Sequence, residues 1–233
     1  GTLTLTGAVS TLSLWCAIEG GTNNITPNTT VNFNGGLTIG QNGGNTGAMN
    51  ISGGTVNVSR TTTPFTSDSG SMNYNQTAGS VAISTDGSGG NPAIWIANNG
   101  GTSVMNISGG TFDASGCGDG MYLGVRGVAT LTIGGTGTMI LPYLRFSHPS
   151  TTGSGTINLN GGVLRSGYFT KAGANTGIFN FNGGTLLAST GTTTFMEGLT
   201  SANVLAGGAI VDSKNVNITI SQALLAGGGG LTK

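Results

Sequence analysis

The 233-residue chain is predicted to be all-β, a right-handed parallel β-helix of about nine coils, each of roughly 25 residues and three short strands. Three observations lead there. The heptapeptide Met-Asn-Ile-Ser-Gly-Gly-Thr occurs twice, at 49–55 and 105–111. Variants of it recur along the chain at unequal steps, so one element is fixed while its connecting loops change length. Charged residues make up only 6% of the chain, against about 25% in ordinary soluble domains. The 46 glycines are interspersed with Thr, Ser, Asn and regularly placed aliphatic residues, without the Gly-X-Y period of collagen.

The repeated row reads apolar–Asn–apolar–polar and begins at Val31, Met49, Met72, Met105, Leu131, Ile157 and Phe179. Within it the period is two: Met49 and Ile51 share one face, Asn50 and Ser52 the other. Stacking the rows places those seven residues in one inward column, with a second running from Phe33 and Ile51 to Leu159 and Phe181. Asn32, Asn50, Asn73, Asn106, Asn158 and Asn180 then form one outward column, interrupted by Thr132. Parallel strands about 4.8 Å apart let such amides hydrogen-bond along the stack.

The rows usually end at a glycine pair, as at Gly53–Gly54, Gly109–Gly110, Gly161–Gly162 and Gly183–Gly184. A corner that must turn within two residues favours Gly, which reaches positive φ without steric cost. A second strand follows, with Val56 and Val58, Val81 and Ile83, Phe112 and Ala114, or Leu186 and Ala188 inward. A third precedes the row, at 37–40, 94–97, 121–124 and 144–146. Right-handedness follows the rule for parallel crossovers. The chain reads as a single domain over residues 1–233.

Seven Lys/Arg balance seven Asp/Glu, so no basic stripe exists for nucleic acid. No apolar run approaches the ~18 residues of a membrane span, so no membrane insertion is expected of this segment. Cys16 and Cys117 give neither a disulfide framework nor metal-ligand spacing, and no cofactor or metal is expected. Either they are buried thiols or one of them bonds a neighbouring chain. The best acidic group is Asp113 with Asp119, near Arg126. Isolated surface charge is the commoner meaning of such a group, and the chain is expected to be no enzyme. His148, before Pro149, has no nucleophile or acid near it in sequence. Trp95 alternates with Ile94 and Ile96 and so faces outward. With Trp15, Tyr122, Tyr143 and Tyr168 it could form a sugar-stacking surface.

The stretches "LTIGQNGGNTGAMNISGGTVNV" at 37–58 and "MYLGVRGVATLTIGGTGTM" at 121–139 resemble the autotransporter-associated β-strand repeats of bacterial surface and secreted proteins. The resemblance covers nearly the whole chain. It implies a parallel β-helix, an extracellular or cell-surface location, and an adhesive or structural role; it implies no catalytic residue. In that family the opening "GTLTLTG" and closing "GGGGLTK" look like halves of one coil. Leu3, Leu5, Leu231 and Lys233 are then edges that stack head to tail on another copy or continue covalently into further coils. The expected function is an extracellular fibre, surface-layer or stalk segment that stacks end to end, with itself as partner. The alternative is a glycan-binding adhesin or passenger segment with surface glycans as partner, and less a polysaccharide-active enzyme.

Overall fold

The structure, a computed structural model, describes residues 2–6, 10–12, 16–84 and 94–233. Trp15 and the Cys16 side chain lie outside the described residues. The described elements are all β-strands, and their pairings are parallel throughout. They stack into a β-solenoid with three strands to a coil. The first face runs from Thr2–Leu5 through Gly21–Ile25 to Ser201–Leu205 and Leu224–Gly227. The second runs from Ser10–Leu12 and Thr30–Phe33 to Ala209–Asp212 and Leu231–Thr232. Long strands such as Thr46–Ser59 and Ser71–Ser84 bend at the glycine corner and serve both faces, which therefore form one 16-stranded sheet. The third face is a separate nine-stranded sheet from Cys16–Ile18 to Ile218–Ile220.

Period two makes each strand bury alternate residues, and the three inward faces meet in a continuous apolar core. Phe65 of the third face, Tyr74 of the first and Phe112 of the second meet edge to face, with centroids 5.8–5.9 Å apart. One large ring from each side thus closes a triangular section, an arrangement worth about 0.5–1.5 kcal/mol per pair beyond area burial. A second aromatic layer joins Phe169, Phe179 and Phe195.

The register corrects two row assignments. Val31 pairs with Val56 and Asn32 with Asn57, so the row at Val31 belongs to the second face. The first-face strand of that coil is Gly21–Ile25, where Asn23 takes the place of the expected inward apolar residue and pairs with Met49. Met49 in turn pairs with Tyr74, and Asn50 with Asn75. Met72 and Asn73 therefore sit two residues early, and Asn73 is exposed beside Ala48, outside the ladder. The slip keeps parity, so inward residues stay inward. Gln76 accordingly falls in the inward column between Ile51 and Ile107 and is fully buried. It survives there because Tyr74 Oη donates to its Oε1 at 2.8 Å while its Nε2 donates to the Thr111 carbonyl at 3.0 Å.

The corner at Gly109–Gly110 shows why glycine is needed twice. Gly110 has φ +73°, and an added Cβ would lie 2.2 Å from the Gly79 carbonyl oxygen. Gly109 has ordinary φ, yet its Cβ would lie 2.1 Å from the Thr77 oxygen of the coil below. One glycine supplies the left-handed turn and the other lets two coils approach.

Candidate functional site

Two outward features run along the solenoid. The first is the asparagine ladder on the first face. Asn50 Nδ2 donates to Asn24 Oδ1 at 2.9 Å, Asn75 to Asn50 at 3.1 Å, and Asn106 to Asn75 at 3.0 Å. Beyond Thr132 the ladder resumes, with Asn180 donating to Asn158 and Asn203 to Asn180, both at 2.8 Å. Each of these bonds points the same way, toward the lower-numbered coil. Asn32 belongs to a second ladder, accepting from Asn57 at 2.7 Å.

The second feature lies on the third face, where Thr38, Thr66, Trp95, Tyr122 and Arg145 form one outward column by register. At rung spacing, large rings in such a column stack along the axis. Trp95 and Tyr122 do so, centroids 5.6 Å apart and planes 14° from parallel, with His148 packed at 5.6 Å from each. Beside them Tyr143 and Tyr168 stack at 4.8 Å. Arg145 lies between the groups: its guanidinium donates to Tyr122 Oη at 3.0 Å and Tyr168 Oη at 3.2 Å. It also sits 5.2 Å from the Tyr143 ring centroid. The expected aromatic surface is thus present, but its tyrosines are engaged by the protein's own cation. His148 serves as a stacking ring in it. Burial and the nearby Asp119 push the Tyr143 hydroxyl up to about 12, the former more than the latter.

At the Trp95 end the column steps down to threonines, and a cleft of about 300 Å³ opens there. Trp95 is one wall and Thr66 part of the lining, with Arg60, Asp68, Asn98 and Asn99 around it. Asp68 Oδ1 accepts from Asn98 Nδ2 and from Asn99 Nδ2. Arg126 secures the same corner from the next coil, its Nη1 donating to the Asn98 carbonyl at 3.3 Å and to Asn99 Oδ1 at 3.0 Å. Asn98 Oδ1 is buried with no hydrogen-bond partner. Of this cleft only Trp95 stood out in the sequence. Arg60, Asp68, Asn98 and Asn99 lie at corners of different coils, where loops vary and no period marks them.

Asp113 and Asp119 flank Cys117 and make separate hydrogen bonds. Asp113 Oδ1 accepts from the Ser115 amide at 2.8 Å, and Asp119 Oδ1 from Tyr143 Oη at 3.4 Å. Arg126 bonds at the cleft instead of joining them. Cys117 is a buried free thiol whose Sγ donates to the Ile83 carbonyl. Burial first, then the Asp113 and Asp119 charges, push it up to about 12. Among the described residues no cluster of His, Cys, Asp and Glu could hold a metal ion.

Neither a family model, nor a curated protein, nor a solved structure matches the chain. Exposed apolar side chains lie toward the two ends of the stack, with Val128 exposed in its middle. Leu3 is 52% and Leu231 60% exposed, and Leu5 is half-buried. Leu231 and the exposed Lys233 line a shallow depression with Val211, Ile218 and Ile220.

Proposed function

We propose that the protein is a structural rod: a segment of an extracellular fibre, surface layer or stalk whose coils stack end to end with further β-helix, of the same chain or of a second copy. The observation that carries this reading is the continuous parallel stack of rungs. Ten first-face rungs, from Thr2–Leu5 to Leu224–Gly227, share one apolar core and, over most of their length, one polar ladder. Such a stack spans about 43 Å at ~4.8 Å per rung. Neutral overall charge lets such rods pack closely with little like-charge repulsion. The apolar terminal rungs supply matching edges: Leu224 continues the inward column that Leu3 begins, and both edges offer parallel-strand hydrogen bonds. In this reading Asp113 and Asp119 are surface and turn groups, and no catalytic step is assigned to them.

Sedimentation of the purified chain over a range of concentrations tests the reading. It predicts elongated, concentration-dependent assemblies that Leu3→Asp or Leu231→Asp suppresses. A monomer that stays discrete at high concentration would overturn it.

A further inference from the structure

The cleft beside Trp95 has properties that a purely mechanical rod does not require. It combines an indole wall backed by the stacked Tyr122, a carboxylate and two amides held in a fixed network, and a buried acceptor, Asn98 Oδ1, with no partner. Arg60 and Asp68 give the lining one charge of each sign, so neither an anion nor a cation gains a net attraction. What this lining suits is a compact molecule with an apolar face and several hydroxyls at its rim. The hydroxyls donate to carboxylate and amide oxygens and accept from amide and guanidinium nitrogens.

We propose that this cleft binds a short neutral saccharide, one ring packing against the Trp95 indole with its hydroxyls meeting Asp68, Asn99 and Arg60. At about 300 Å³ the cleft is at the small end of ligand sites, which run from about 300 to 1,000 Å³. It therefore takes a terminal or internal sugar unit and leaves the rest of a chain in solvent. The groups that present the ligand are pre-ordered: Asp68 is fixed by both amides, and Asn99 by Arg126. Little ordering cost then falls on binding. The site does not rest on end-to-end stacking; on a fibre it would repeat along the surface and gain by multivalency.

The test is a titration of the purified chain with neutral disaccharides of glucose, galactose, mannose and N-acetylglucosamine, followed by two-dimensional NMR. Sulfated and uronate disaccharides and a short peptide pool serve as comparators. The expected result is binding of at least one neutral disaccharide, with a Kd on the order of 1 mM, and shifts centred on residues 66–68 and 95–99. Trp95→Ala and Asp68→Ala each weaken it about tenfold or more. Asn99→Ala, at an exposed position, weakens it measurably, while Asp113→Ala leaves it unchanged. Binding only of the acidic sugars or of peptides, no binding of any neutral disaccharide, or binding indifferent to both Asp68→Ala and Asn99→Ala would overturn the proposal.

Discussion

Asn75 donates its side-chain amide to Asn50 Oδ1 at 3.1 Å, one coil below. Because Asn50 donates onward to Asn24 in the same sense, each amide is at once donor and acceptor. The ladder therefore behaves as a polar chain parallel to the apolar core, and its members are worth more together than singly.

Interrupting the ladder has a definite cost. Asn180→Ala leaves Asn158 Oδ1 without its partner and Asn203 Nδ2 with Ser201 Oγ alone, in positions that water partly reaches. A loss of about 1–2 kcal/mol is expected, read as a lower urea midpoint at unchanged slope.

Repairing the ladder gives the opposite sign. Thr132 pairs by register with Asn106 on one side and Asn158 on the other. Thr132→Asn closes the gap with two amide bonds and loses some of threonine's strand preference. The net expectation is a gain of about 1 kcal/mol, measured by the same unfolding curve.

Glycine positions separate by mechanism. Gly110→Ala combines positive φ with a Cβ 2.2 Å from a backbone oxygen, whereas Gly44, at φ +82°, has nothing within 4 Å of its Cβ. Gly44→Ala should cost about 1–2 kcal/mol, the price of the left-handed backbone alone. Gly110→Ala should cost clearly more, since two coils must also separate. Comparing the two thermal midpoints checks this.

Alkali acts through buried acids. Cys117 is pushed from 9.0 to about 12, and Tyr74 is raised well above 10.0 by burial. In each case the folded state holds its proton after the unfolded state has released it. The stability from Cys117 is therefore whole below about pH 9 and falls as pH rises toward 12. Cys117→Ala should flatten the part of that decline nearest pH 9. In the native protein near neutral pH, Cys117 should react with iodoacetamide far more slowly than in urea.

The places where sequence and structure part share a cause. Period two determines which face a residue takes, and it did so for Met49, Met105, Ile157 and Phe179, all inward and buried. It does not determine how far along the strand a residue sits. Aligning Met72-Asn73 on Met49-Asn50 satisfied parity, yet the true partner of Asn50 is Asn75. Likewise "VNFN" at 31–34 matches the first-face pattern because the second face also alternates apolar and Asn. The coil's own first-face strand, with Asn23 where an apolar residue was expected, carries too weak a signal to compete. The cleft was still less legible. Trp95 declared itself by alternation, but Arg60, Asp68 and Asn99 come from corners whose meeting depends on loop lengths in two coils.

The most direct test of the structural-rod reading is electron microscopy of the protein as isolated, with the axial spacing measured. The account predicts rods or filaments in which a rung repeat of about 4.8 Å continues without a break past the Leu3 and Leu231 edges. Discrete particles no longer than about 43 Å, the length of one ten-rung stack, would contradict it.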